Sequence, residues 1–333
     1  MKRNTCIDMI KLFFALFIAL GHYGIEIISS DMIVNCFFVL SGYFLMKSYK
    51  SGKYKSSFQY IKHRIEKIYL YYFAALLLYI LIWFWLNDFA WGGLWEKITK
   101  IMPELLFLQN AGIFVTGGMN APCWQLSTLF IASYILFGML SCNEKLVSNV
   151  IAPFIALGGY TYCANIYSGH EPNRWGVEFG MLYVPLFRAF AGLCLGIAVY
   201  EVVQKTVSWI EEKKVSPVVI SVITCGLGGA FWVNRMGYHT LIAFVGILIC
   251  ALTPVGMMGY INRKINVSFE KISLLIYFTH MSVVQVIGKL DESLFSIGKI
   301  IKYWVIVLAV AFVFMKVVDF GKRKLCTHKG VYK

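Results

Sequence analysis

Charged residues are scarce in this chain of 333 residues: Asp, Glu, Lys and Arg make up 14% of it, whereas 59% is hydrophobic. A soluble domain of this length would need far more charged surface. The nine cysteines lie mostly inside apolar runs and lack metal-ligand or disulfide spacing, so they are interpreted as small buried side chains. Internal repeats, low-complexity tracts and linkers are missing too. We therefore expect residues 1–333 to form one domain.

Long apolar runs recur along the whole chain and predict an integral membrane protein, because about 20 apolar residues suffice to cross a bilayer. The predicted fold class is all-α, a polytopic helical bundle with about ten transmembrane helices. The predicted spans are 7–29, 31–46, 68–86, 123–141, 147–164, 180–202, 216–233, 239–259, 271–289 and 303–320.

The formal net charge of +14 is distributed in a way that argues against a nucleic-acid partner. With the N-terminus inside, the inside segments contain 21 Lys and Arg residues and the outside segments seven. An excess of basic residues in short loops marks the cytoplasmic side. We therefore expect a protein of the plasma (inner) membrane with both termini cytoplasmic, whose basic loops contact anionic membrane lipid.

The first span contains four ionisable residues, Asp8, Lys11, His22 and Glu26. On one continuous helix they form a single stripe, with Lys11 and His22 about 16–17 Å apart along the axis. A charge at bilayer depth costs several kcal/mol, so the stripe is expected to face a protein interior or an aqueous cavity. The alternative is a polar packing seam in which Asp8 and Lys11 anchor the helix at the interface.

Two later spans also contain ionisable groups, Arg188 in the sixth and His280 in the ninth. A mid-helix arginine needs a partner, and Glu178 or Glu26 is the expected one. A lone membrane histidine is more often structural, but two histidines, a lysine and an arginine together favour a functional site. The start of the third helix is basic and suits the phosphates of a cytosolic cofactor, or an interfacial anchor, through Lys62, His63, Arg64 and Lys67.

Small residues mark two helix faces for close packing. Ser41 and Gly42 stand within the aromatic second span, and Gly192 with Gly196 forms a GxxxG pattern in the sixth. Ser41 is not surrounded by the G-x-S-x-G pattern of a nucleophile elbow, so a packing role is the better interpretation.

These motifs, taken in order, resemble the acyltransferase 3 family of integral-membrane enzymes, which acylate hydroxyls of surface polysaccharides, peptidoglycan and lipid-linked sugars. The family's opening signature corresponds to Asp8, Lys11 and His22, followed by the aromatic-rich FFVLSGYF at residues 37–44. Further matches are Arg64, Gln109-Asn110 running into Trp124, Arg188-x-Phe190-x-Gly192, and Ser273 with Tyr277 and His280. The resemblance extends from residue 6 to about residue 285.

The chain departs from the family's pattern at two positions. Lys11 stands where arginine is usual, which keeps the charge but loses the bidentate fork. Leu129 stands where many members have a glutamate, so an acid or base role for that glutamate has no counterpart here.

The resemblance implies acyl transfer from acyl-CoA, expected to be acetyl-CoA, to a glycan or lipid-linked saccharide hydroxyl. The catalytic residues are expected to be His22, Lys11, Asp8, Arg188 and His280. His22 suits a general base near neutral pH, or a carrier of the acyl group. Arg188 and His280 would polarise the carbonyl or position the acceptor.

The resemblance also implies two sets of binding residues. Lys11, Arg64 and Lys62 are expected to bind CoA phosphates, and Glu26, Trp124 and Asn110 to contact the acceptor. No metal is expected, and the oligomeric state stays open.

Two other function classes compete with this interpretation. Ionisable stripes and glycine-containing helices also mark transporters, in this case a permease for a glycan or an amino acid. A structural partner of an envelope glycan assembly complex is the third class, and it predicts that replacing His22 leaves function intact.

Overall fold

The computed structural model describes residues 4–88, 101–109, 119–166, 178–179, 182–233, 239–265, 267–289 and 296–328. Its first helices are α1 (Thr5–Tyr23), α2 (Ser30–Lys50), α3 (Ser57–Leu86) and α4 (Trp124–Cys142), which follows a 3₁₀ turn at Ala121–Cys123. A short turn at Glu144–Leu146 and a π-helical turn at Val147–Ile151 lead into α5 (Ala152–Ile166). The remaining helices are α6 (Val184–Glu212), α7 (Pro217–Val233), α8 (His239–Leu252), α9 (Gly256–Lys264), α10 (Glu270–Ile287) and α11 (Ile297–His328).

The predicted all-α membrane bundle is confirmed. Among the described residues the only strands are two short ones, β1 (Glu178–Phe179) and β2 (Leu182–Tyr183), paired antiparallel before α6. Many large apolar side chains point outward, for example Phe154 and Leu157 on α5 and Ile242 on α8. Such a surface is suited to lipid rather than water.

The count of ten spans is not confirmed. Seven helical segments are long and apolar enough to cross a membrane, and α8 with α9 adds an eighth if that pair, bent by 48°, is one span. Helix α7 has only 17 residues. Helix α10 has buried polar side chains, Ser273, Thr279, His280 and Ser282, which lower its hydropathy.

Helices α2 and α6 cross in close contact, which confirms the packing role predicted for Gly42 and Gly196. A Cβ atom added at Gly42 would lie 2.0 Å from the Leu193 carbonyl oxygen. One added at Gly196 would lie 2.1 Å from the carbonyl oxygen of Val39. Glycine lets the two backbones touch, as in membrane helix pairs generally.

Replacing Gly196 by alanine should destabilise the protein by about 1–3 kcal/mol, because backbone atoms cannot yield as a flexible side chain would. The midpoint of thermal unfolding in detergent measures the effect. Gly228→Ala on α7 is the matched control, since its Cβ would meet nothing within 4 Å. Equal midpoints for the two variants would contradict the close crossing.

The start of α1 is held by backbone and side chains about 250 positions later in the chain. The Asn4 side chain donates to the Ala251 carbonyl (2.7 Å) and the Thr5 hydroxyl to that of Ile265 (2.7 Å). The backbone N–H of Cys6 donates to Asn262 Oδ1 (2.9 Å). These bonds fix α1 against the α8–α9 bend, and we call this set the α1 clasp.

Candidate active site

Helix α1 carries the central pair, Lys11 and His22. The helix ends at Tyr23 because Gly24 adopts a left-handed conformation (φ 108°) and its N–H bonds back to the last turn. His22 therefore lies in the last turn, eleven residues and about 16–17 Å from Lys11 along the axis.

The prediction that Glu26 continues this helical stripe is wrong. Glu26 lies beyond the end of α1, and its side chain is exposed. Its carboxylate accepts a hydrogen bond from the backbone N–H of Ser30 (2.9 Å) at the start of α2. It caps the next helix, where a carboxylate is favourable.

The two predicted histidines meet. The rings of His22 on α1 and His280 on α10 have centroids 5.2 Å apart, tilted by 31°. His280 is fully buried, and its Nδ1 lies 3.1 Å from the Ile276 carbonyl oxygen. A carbonyl only accepts hydrogen bonds, so Nδ1 carries the proton and Nε2 presents a lone pair. His280 Nε2 has no partner among the described residues.

Positive charge gathers around Lys11, at the opposite end of α1. The Lys11 ammonium lies 5.4 Å from the centroid of the Phe44 ring, and Lys47 lies 6.0 Å from the same ring. Arg64 and Lys67 of α3 interact electrostatically with Lys11, as do the acidic Asp8 and Glu270. We call Lys11, Lys47, Arg64 and Lys67 the basic cluster. Lys47 is not among the site residues predicted from the sequence.

The two α3 residues predicted to bind phosphate have different surroundings. Arg64 donates to the Tyr60 hydroxyl (2.6 Å) and faces Lys11. Lys62 is exposed and pairs with Glu66 one turn later, 3.9 Å away. An exposed pair of this kind contributes little to stability, so Lys62 is available to other anions.

Arg188 is fully buried, and its partners are two residues of α2 and not the predicted Glu26. The side chain of Glu178, the other predicted partner, lies outside the described residues. Its Nε donates to Asn35 Oδ1 (2.8 Å), Nη1 to Asp31 Oδ1 (3.2 Å) and Nη2 to the Asp31 carbonyl (2.7 Å). Arg188 thus joins α6 to the first turns of α2. Its guanidinium also lies 5.8 Å from the centroid of the buried Trp124 ring. Asn110, the third predicted acceptor residue, is outside the described residues.

A buried carboxyl that sequence reasoning missed lies beside α3 and α4. Glu104 is fully buried in a helical turn that belongs to none of the candidate spans. Glu104 Oε1 accepts the backbone N–H of Asn120 (3.0 Å). Burial raises the pKa of Glu104 to about 7, and the Asn120 and Met119 N–H groups oppose that shift. The sequence signal that could have indicated this carboxyl is an acidic residue within an apolar run, residues 101–108.

Other polar side chains connect this carboxyl to the helices. The Tyr72 hydroxyl donates to the Glu104 carbonyl (3.1 Å), and Gln109 Nε2 donates to that hydroxyl (3.1 Å). Asn120 Nδ2 donates to the Phe278 carbonyl (2.9 Å), two residues before His280. The Tyr277 hydroxyl donates to the Pro122 carbonyl. The polar network around Glu104 therefore packs against the turn of α10 that precedes the histidine pair.

Comparison with known proteins gave one finding. The acyltransferase 3 family model, described as an acyltransferase domain, matches residues 4–317, nearly the whole chain. Searches of curated proteins and of solved structures gave no match.

Proposed function

Because the chain belongs to the acyltransferase 3 family of membrane acyltransferases, we propose that it transfers an acyl group, expected to be acetyl, from acyl-CoA to a hydroxyl of an extracytoplasmic or lipid-linked glycan. The observation that carries this proposal is the pairing of His22 with His280 at one end of α1 while the basic cluster surrounds the other end.

The basic cluster supports binding of the CoA phosphates. Lys11, Lys47 and Arg64 supply cations at this end of α1, and Lys67 adds a fourth that is paired with Glu270 (2.7 Å). Ammonium or guanidinium groups bind phosphate through charge-assisted hydrogen bonds. The flexible arm of CoA would then extend along α1 towards His22. An excess of Lys and Arg in the segments on the Lys11 side supports a cytoplasmic position for this end.

The histidine pair supports proton transfer from the acceptor hydroxyl. His22 takes the proton as the hydroxyl oxygen attacks the thioester carbonyl carbon. The C–S bond breaks as the C–O bond of the product ester forms, and the proton passes to the departing CoA thiolate. His280, held at Nδ1 by the Ile276 carbonyl, packs its ring 5.2 Å from that of His22 and keeps the His22 ring in position.

Arg188 acts in this scheme as a positioning residue. Its donors bind Asp31 and Asn35 on α2, and its guanidinium covers Trp124. Trp124, Asn110 and the exposed Glu26 remain the proposed contacts of the glycan acceptor.

The test is transfer by the purified protein in liposomes, with radiolabelled acetyl-CoA and a glycan extract of the host. Wild type should release free CoA and label the glycan. Lys11→Ala should raise the KM for acetyl-CoA by about 10–100-fold, because it removes a charged contact worth about 1.5–3 kcal/mol.

Lys316→Ala is the matched control for Lys11→Ala. Lys316 is also a lysine within a span, 5.2 Å from the centroid of a phenylalanine ring, but it lies on the exposed face of α11. Its KM should equal that of wild type. If wild type neither binds nor cleaves acetyl- or succinyl-CoA, the proposal fails and a transporter becomes the leading interpretation.

A further inference from the structure

Three fully buried oxygen atoms of the network around Glu104 lack hydrogen-bond partners among the described residues. They are Glu104 Oε2, Gln109 Oε1 and Asn120 Oδ1, and each belongs to a residue no more than 1% exposed. A buried polar atom left without a partner costs about 1–3 kcal/mol. Three such atoms around one carboxyl indicate a place that a ligand completes.

The Gln109 and Asn120 oxygens are hydrogen-bond acceptors, and Glu104 Oε2 is one when the carboxyl is ionised, the form that dominates above its pKa of about 7. Both N–H bonds of Gln109 Nε2 are used, one by the Tyr72 hydroxyl and one by the Cys123 carbonyl, and Asn120 Nδ2 donates to the Phe278 carbonyl. The unmet need is therefore for O–H or N–H donors. An anionic group would meet a carboxylate and amide oxygens and would be repelled.

The network has a defined place relative to the proposed reaction. Asn120 donates a hydrogen bond to the Phe278 carbonyl of α10, and the Pro122 carbonyl accepts one from the Tyr277 hydroxyl. His280 follows two residues after Phe278 on the same helix. His280 in turn lies against His22. These acceptor atoms therefore lie on the histidine side of the site, whereas the basic cluster lies at the other end of α1.

We propose that Glu104, Gln109 and Asn120 form the subsite for the acceptor, which takes a neutral or cationic group rich in O–H or N–H donors, and that Glu104 is the residue that discriminates against anionic acceptors. The assignment of this subsite to the acceptor rests on the proposed acyl transfer. Its binding chemistry rests on the three unpartnered oxygens alone.

The test compares wild type with Glu104→Gln on three small probes in detergent: methyl glucoside, which is neutral, glucosamine, which is cationic, and glucuronate, which is anionic. Transfer from acetyl-CoA measures the KM for each probe and for the donor. Wild type should accept the first two probes and reject glucuronate. Glu104→Gln should raise the KM for glucosamine at least tenfold, leave the KM for acetyl-CoA unchanged and reduce the discrimination against glucuronate.

Glu211→Gln is the matched control, because Glu211 is an exposed glutamate on α6. Glutamine retains an oxygen that accepts the Asn120 N–H, so the variant is expected to fold with an unfolding midpoint close to that of wild type. If it does not fold, Gln109→Met removes another of the three oxygens at similar volume and takes its place in the test.

Direct titration of the probes without acetyl-CoA separates this inference from the proposed function. If wild type transfers nothing but binds glucosamine more tightly than Glu104→Gln does, the subsite stands and the acyltransferase proposal fails. If the folded variant transfers to and binds glucosamine and glucuronate as wild type does, the subsite is overturned, whatever the transfer result.

Discussion

His22→Ala should lower the rate of acyl transfer by about 10²–10⁴-fold, the range that a general base contributes. The physical reason is that the variant loses the imidazole at the end of α1, and the other member of the histidine pair lies on a different helix. His280 is the neighbouring base, but it is fully buried and held by the Ile276 carbonyl. Release of CoA in a single turnover, with saturating donor, measures the effect.

The matched control is His239→Ala, since His239 is an exposed histidine at the start of α8. Its transfer rate should equal that of wild type. The binding of acetyl-CoA should survive in both variants because the basic cluster is unchanged. A His22→Ala protein that folds and keeps a tenth or more of the wild-type rate would remove His22 from the reaction and favour the structural-partner interpretation.

Arg188→Ala should destabilise the protein by about 3–5 kcal/mol, because it removes three hydrogen bonds of a fully buried guanidinium, and bonds to charged groups are worth about 1.5–3 kcal/mol each. The loss would leave Asn35 buried without its donor and Asp31 without its cation. It would also detach α6 from the start of α2. The expected result is a much lower yield of folded protein and a lower midpoint of thermal unfolding.

Arg188→Lys separates the contribution of the positive charge from that of the guanidinium's hydrogen bonds. Lysine keeps the charge but cannot donate at once to Asn35 and to two atoms of Asp31 as the guanidinium does. We therefore expect only partial recovery of stability. An Arg188→Ala protein with the wild-type unfolding midpoint and no transfer would instead assign Arg188 a direct role in the reaction.

The sequence was sufficient to predict the contents of α1 but not its end. The eleven-residue interval between Lys11 and His22 fixes their common face through helical period alone. The helix end at Tyr23 depends on the left-handed backbone of Gly24, and a glycine within an apolar run is only a weak stop signal. For this reason Glu26 was wrongly placed on the stripe.

Partners across helices were harder to predict than patterns within them. An arginine inside a membrane helix needs a polar partner, and this need can be predicted from the sequence. That the partner is Asp31, 157 residues earlier in the chain, depends on how α2 packs against α6. Asp31 and Asn35 are four residues apart and therefore share one face of α2, which is the sequence signal for a polar partner of Arg188.

Glu104 was missed for a different reason. It lies in a connection, between the candidate spans, where a single acid is ordinarily a solvated one. Only the tertiary structure shows that this connection folds back against α3 and α10 and buries the carboxyl. The span count is also hard to predict from apolarity alone. Buried polar side chains make α10 less apolar than a helix that only faces lipid, and α10 is not among the helices that are apolar enough to be counted.

The α1 clasp has a consequence for how the protein is made. The atoms that hold the start of α1, around Ala251, Asn262 and Ile265, are synthesised about 250 residues after it. At 5–20 residues per second, that delay is roughly 12–50 seconds. Throughout it, we expect a helix containing Asp8, Lys11 and His22 to insert poorly into lipid, where ionisable side chains are costly. We therefore expect the candidate site to assemble late in biogenesis, when α8 and α9 have been made.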